Sequence, residues 1–358
     1  MVALPYRTAL TTRDGDRAPQ AKRLFLVLVL GVLAISVLAL GTGASDVAVG
    51  DMLLTLLRGN ALATRDHVVL FDIRLPRLVM GLLTGAALAV SGALMQGLFR
   101  NPLADPGLVG VGAGAGLGAV LAIVLGGLLP TGLATAIGMH LVPVAAFAGG
   151  WGATIMLYVV SSRHGRTSVA TMLLAGIALG ALAGAATGVL IYMADDRQLR
   201  DLTFWGMGSL GGASWHKMAV ATPLILPVLL LAPMLARGLN MLALGEAAAL
   251  HAGIEVQRIK TLTILGVAAA TGAAVAVAGG IGFIGIVVPH LLRLAVGPDH
   301  RFLLPNAALL GAILLVGADI IARLVVAPAE LPIGIVTAIL GGPVFLYILL
   351  RSRGILDL

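Results

Sequence analysis

Cysteine is absent from the 358 residues, so neither disulfide staples nor thiolate metal sites can form. Charge is scarce at 11% and aromatics at 4%, too little for an ordinary soluble surface or an aromatic-rich core. No Gly-x-x-x-x-Gly-Lys-Ser/Thr run occurs, so the chain lacks the backbone cradle that holds nucleotide phosphates. The seven histidines include no His-Glu-x-x-His, which excludes that helical zinc centre. What remains is apolar: 59% of residues are hydrophobic, 48 are glycine and the mean hydropathy is +1.06. One soluble core cannot bury so much, and the glycine excess suits helices packed through small residues. The formal charge of +7 reads as loop bias rather than a nucleic-acid surface, because no separate soluble stretch exists on which a basic face could form.

A bilayer core of about 30 Å needs roughly 20 apolar residues per helix. Cutting the apolar runs at charges and turn residues predicts an all-α membrane protein of ten transmembrane helices. They fall near 24–41, 78–98, 108–128, 141–160, 169–193, 218–236, 261–280, 282–297, 303–325 and 332–350. A cytoplasmic segment 1–23 precedes one transmembrane domain, 24–358. Lys22-Arg23 before an apolar run and the small residues 41–44 also has the order of a signal peptide. The later helices need a cytoplasmic start, however, so an uncleaved first helix is expected. Between the seventh and eighth spans, Gly279, Gly280 and Gly282 permit a break without marking its position.

Ten spans put both termini on one side. A cytoplasmic N-terminus places most of the 23 Lys and Arg on inner segments, as the positive-inside rule demands. A repeat is also visible: residues 85–92 match 272–279 except at Leu88/Val275 and Ser91/Ala278. Helices five apart run in opposite directions, so spans 2–5 and 7–10 would form an inverted repeat. In so Ala- and Gly-rich a chain, chance also produces such matches.

Two loops are too long for simple connections. The outer segment 194–217 mixes Asp195, Asp196, Arg197, Arg200 and Asp201 with Phe204, Trp205 and Trp215, the composition of a helix lying at the interface. The inner segment 237–260 allows two short helices broken near Gly253. Its ridge of Leu242, Leu244, Leu250 and Ile254 has no bilayer to enter and suits a protein groove.

Few ionisable groups lie within the spans. Asp319 and Arg323 are four apart and can pair on one helix face. Gln96 and Asn101 can hydrogen-bond across helices. Arg74 and Arg77 flank Leu75-Pro76 at the outer mouth, against the charge bias. They either snorkel to the interface or form a socket for carboxylates.

Through these residues the chain resembles the permease family of ATP-driven importers for haem, iron siderophores and cobalamin. The resemblance rests on Arg74-Leu75-Pro76-Arg77, 85–96, Arg100-Asn101-Pro102-Leu103-Ala104-Asp105-Pro106, 205–215, 281–293, Asp299-His300-Arg301, 318–323 and Glu330-Leu331-Pro332-Ile333-Gly334. It implies ten helices, an inverted repeat and a homodimer in the bacterial inner membrane with the path between subunits. It also implies two cytoplasmic ATPase subunits, which bind ATP and Mg, and a periplasmic binding protein. By the same resemblance, Arg74, Arg77 and Arg323 receive glutamates of that binding protein. Residues 242–258, including Leu242, Gly245, Glu246, Leu250, Gly253 and Ile254, seat in the ATPase. The periplasmic gate segment 194–217, with Trp205, Gly208, Ser209 and Gly211, borders the path together with spans five and ten.

The chain itself should hold no cofactor or metal and hydrolyse no ATP. The stretch 198–205 with Gly208-Ser209-Leu210-Gly211-Gly212 is most similar to the haem members, with ferric siderophores and cobalamin as alternatives. An ion-coupled secondary transporter would instead need buried carboxylates at broken helices, and Asp319, the main candidate, has an arginine beside it. A membrane-embedded enzyme would need paired acids facing a cavity, whereas Asp195-Asp196 lies in the outer loop.

Overall fold

The computed structural model describes residues 17–43, Thr55, Arg58, 63–163 and 166–356; most of the expected N-terminal segment lies outside the described residues. Among the described residues, twelve of the helices carry the fold. They are α1 (Ala18–Gly41), α2 (Thr64–Phe99), α3 (Val111–Leu128), α4 (Gly138–Ser161), α5 (Val169–Met193) and α6 (Asp196–Met207), followed by α7 (Trp215–Ala243), α8 (Glu246–His251), α9 (Val256–Ala278), α10 (Ile284–Val296), α11 (His300–Leu324) and α12 (Ile333–Leu356). The expected spans correspond to α1–α5, α7 and α9–α12. Eight are long and apolar enough to cross a membrane, while α10 and the apolar part of α12, Ile333–Tyr347, are shorter. Among the described residues the only strand pairing is Ser162–Arg163 with Arg166–Thr167, which closes the turn between α4 and α5.

Burial orders the bundle. The apolar windows of α2 and α9 are 78% and 72% enclosed, whereas those of α1 and α5 are 11% enclosed. The two helices that carry the matching octapeptides are therefore the central ones. Each crosses a helix from the other half: α2 packs along α11, and α9 packs along α4. This reciprocal pairing is what the inverted repeat requires. At the first crossing Gly85 and Gly311 meet backbone to backbone, and a Cβ on Gly85 would lie 2.3 Å from the Gly311 carbonyl oxygen. At the second, a Cβ on Gly272 would lie 3.4 Å from the Phe147 ring, an ordinary contact.

The structure moves two boundaries. α2 begins at Thr64 rather than near 78, because helix continues through the charged residues Arg65, Asp66 and Asp72, which hydropathy reads as loop. A π-helical stretch, Val68–Arg74, lies within this extension. The break after α9 falls at Gly279, whose φ of 75° ends the helix, and Phe283 at φ 67° starts α10. A bulky side chain at positive φ is rare and is held there by its surroundings.

The close crossing yields a stability prediction. Gly85→Ala should destabilise the folded chain by about 1–3 kcal/mol, the usual range for overpacking. Gly180→Ala, where nothing lies within 4 Å, serves as the neutral control. Unfolding in detergent, followed by circular dichroism, compares the two.

Candidate functional site

The outer end of the bundle is tied by charge. Folding brings Arg77, near the start of α2, onto Asp319 of α11, with its Nη2 2.8 Å from Oδ1 and its Nε 3.1 Å from both carboxylate oxygens. Its Nη1 reaches Glu330 Oε1, in the α11–α12 loop, at 2.7 Å. Arg323 completes the expected helical pair, with Nε 3.1 Å from Asp319 Oδ2, and donates to the Thr42 carbonyl at 2.7 Å. Arg74 is buried and donates to the Leu40 carbonyl at 2.6 Å. α1, α2, α11 and the α11–α12 loop thus share one network.

In this structure both guanidiniums of the outer mouth are engaged within the bundle, Arg77 by carboxylates and Arg74 by a main-chain carbonyl. The three arginines expected as a docking socket stand together, and Arg77 and Arg323 already hold internal carboxylates. Glu330 is the exposed member, with 43% of its side chain accessible. The hydrogen bond from Arg77 holds its carboxyl below the usual glutamate range, against the opposing effect of burial.

The outer segment expected to act as a gate meets this network. α6 opens with a capping box in which Asp195 Oδ1 accepts from Gln198 N at 2.8 Å and Asp195 N donates to Gln198 Oε1 at 3.0 Å. It is amphipathic, with Phe204 exposed, as an interfacial helix should be. Gly208, at φ 70°, turns the chain so that Ser209 N donates to the Ala278 carbonyl at 2.8 Å and Ile333 N donates to the Gly208 carbonyl at 3.0 Å. The segment is therefore wedged between the end of α9 and the start of α12. Gly211 lies against Glu330: a Cβ there would sit 3.0 Å from Oε2.

Beneath the wedge lies a cavity of about 280 Å³, lined by Trp205, Thr271, Phe283 and Asp105 among others. Burial pushes the Asp105 carboxyl up, opposed by a hydrogen bond from Gly107 N at 2.7 Å.

The opposite end carries the inner segment. Gly245 and Gly253, at φ 111° and 75°, bracket α8. The expected second short helix is instead the first turn of α9, because the chain resumes helix at Val256 and does not stop. The expected ridge is also corrected. Leu244 and Leu250 are 70% and 60% exposed, but Leu242 is buried at the end of α7 and Ile254 packs against the core. Lys260, which reads in sequence as one more inner-loop charge, is 3% exposed and lies 2.7 Å from Glu246 Oε1.

Gln96 bonds across helices as expected, donating to the Gly285 carbonyl at 3.3 Å and accepting from Arg293. Asn101 does not: its Oδ1 accepts from Leu103 N within its own loop. Burial alone would raise the nearby Asp299 carboxyl, but hydrogen bonds from Arg301 and Asn240 hold it at about 2. Among the described residues no group of three His, Asp or Glu side chains is placed to hold a metal ion.

Comparison with known proteins places this geometry. Residues 29–351 match the FecCD transport family. The hemin transport system permease HmuU of Yersinia pestis is 48% identical over 326 residues, which cover 91% of this chain and 96% of that one. The vitamin B12 import system permease BtuC of Salmonella typhi is 45% identical over 331 residues, covering 92% and 95%. A solved inward-facing metal-chelate type ABC transporter superposes with TM-score 0.80 at 30% identity, over 92% of this chain and 99% of that one.

The charge network predicts how stability responds to substitution. Asp319→Asn leaves two largely buried guanidiniums short of a counter-charge and should cost about 3–5 kcal/mol in detergent unfolding. Glu330→Gln should cost less. Because the Glu330 pKa is depressed, its contribution is fully present above the ordinary glutamate pKa and is lost as pH falls through the lowered value. Acid titration of unfolding should therefore show a loss in wild type that Glu330→Gln lacks.

Proposed function

The chain belongs to the FecCD transport family, and on that footing we propose that it is the haem-conducting subunit of an importer whose energy comes from a separate ATPase. It is a multi-pass permease of a bacterial ABC importer. The observation that carries the fuller reading is the placement of two expected sites at opposite ends of one bundle. The gate segment and the arginine network share one end, and α8 stands at the other.

In this reading two copies enclose the path in the inner membrane, with both termini cytoplasmic and 24–358 as a single transmembrane domain. Two ATPase subunits, carrying ATP and Mg, seat on α8 through the exposed Leu244 and Leu250, flanked by Gly245, Glu246 and Gly253. A periplasmic binding protein docks by its acidic lobes at Arg74, Arg77 and Arg323, competing for guanidiniums now held by Asp319 and Glu330. Because Gly211 adjoins Glu330, such competition would reach the gate residues Trp205, Gly208 and Ser209 directly. Ion coupling is disfavoured, since the buried Asp319 is committed to two arginines.

The haem assignment is supported by the similarity to the hemin permease HmuU, 48% identical over 91% of this chain, against 45% for the vitamin B12 permease BtuC. Its test is the absorbance of the ligand that the purified binding protein delivers into vesicles containing the whole transporter. A haem Soret band is expected; a cobalamin or ferric-siderophore spectrum would replace haem with that cargo.

Parallel assays of uptake, hydrolysis and docking test the two ends. Leu250→Asp should abolish uptake or uncouple hydrolysis from it while leaving binding-protein affinity unchanged. Arg77→Glu should weaken that affinity and its salt dependence. Wild-type uptake by Leu250→Asp moves the seat elsewhere.

A further inference from the structure

α8 and the turn between α4 and α5 face each other across a groove of about 810 Å³, with Arg166, Thr167 and Ser168 on one wall and Glu246, Leu250 and Glu255 on the other. Among the described residues, one side chain bridges the two walls by polar contacts. Lys260 Nζ stands 2.7 Å from Glu246 Oε1, in the first turn of α8, and donates to the Thr167 carbonyl at 2.8 Å. Gln257, one turn earlier on α9, accepts from Thr167 N at 3.0 Å, so both polar atoms of that residue's backbone are held by α9. Tyr158, in α4, adds a hydroxyl contact to Thr261 at 2.8 Å.

Thr167 directly precedes Ser168, whose hydroxyl caps the start of α5 by accepting from Thr171 N at 3.2 Å. Whatever displaces Thr167 therefore displaces the end of α5.

We propose that Lys260 is the positioning residue that carries motion of α8 into α5, making the α4–α5 turn a second moving part of the ATP-driven stroke. The physical case rests on where the ammonium lies. A solvated lysine on a flexible stem transmits nothing, because water replaces its partner as it moves. Lys260 is enclosed, and separating it from Glu246 or Thr167 would strand a buried charge or an unsatisfied carbonyl. The two walls therefore move together. α5, with only 11% of its apolar window enclosed, has little apolar surface packed within its own subunit to resist that motion.

The proposal rests on α8 being the ATPase seat, and the experiment separates the two. In vesicles containing the complete transporter, Lys260→Met keeps the stem length and removes both polar contacts. The ATPase should still co-purify and hydrolyse ATP, while ligand taken up per ATP falls by about tenfold, within the usual range of coupling energies.

A wild-type ratio in Lys260→Met, with Leu250→Asp uncoupled, overturns the strut alone. Wild-type uptake by Leu250→Asp overturns the seat. Loss of the ATPase from the Lys260→Met complex makes Lys260 part of the docking surface and also overturns the strut. If Lys260→Met does not fold, spin labels decide in the otherwise unaltered chain, which has no cysteine of its own. With labels at Arg163→Cys and Ala252→Cys, the distance across the groove should stay constant between nucleotide-free and ATP-bound states. A change of several ångström would show that the walls move independently.

Discussion

Asp319 is a single carboxylate serving two arginines inside the bundle, and the organisation of the outer end follows from that sharing. Alone, either guanidinium would be costly to bury. Together with Glu330 they draw α2, α11 and the α11–α12 loop to one point, while Arg323 and Arg74 reach the carbonyls that end α1. The net charge of the five groups stays positive, so an incoming carboxylate is attracted to the cluster even though each arginine is engaged. Loss or rearrangement of one contact affects its neighbours, because Asp319 has two claimants and Arg77 has two acids.

Much of the helical plan was legible in the sequence because crossing a bilayer is a local demand: a run of about 20 apolar residues satisfies it without knowledge of any partner. The charged start of α2 was missed for the same reason. Hydropathy counts Arg74 and Arg77 as interruptions, and it cannot know that Leu40 and Asp319 will meet them. The inner ridge was misread at Leu242 and Ile254, since composition does not say which side of a turn faces the core. Lys260 gave no signal at all: its partners, Thr167 and Glu246, identify it only after folding. Gly85, by contrast, was found by its repeat, and the crossing with Gly311 gives the physical reason for a glycine there.

The two ends differ in how they are held. At the wedge of the outer segment, backbone contacts dominate: Gly208, Ser209 and Gly280 bond main chain to main chain, which fixes it closely. At the groove, one enclosed ammonium joins two walls, a stiffer arrangement that suits a part expected to move as a unit. α7 runs between these regions with Pro223, Pro227 and Pro233 inside it, pinned at one end by Trp215 Nε1 to the Phe71 carbonyl. α9 runs beside it, from Gln257 and Lys260 at the groove to Ala278 at the wedge.

The separation of Arg77 and Asp319 along the chain also has a cost in time. They are 242 residues apart, so a ribosome adding about 5–20 residues per second delivers Asp319 roughly 10–50 s after Arg77. During that interval Arg77 has no carboxylate partner, and from the end of its helix the long side chain can reach the interface instead. The inward turn onto Asp319 is therefore made only once α11 has been synthesised, and any arrest of synthesis before α11 leaves the arginine unmatched.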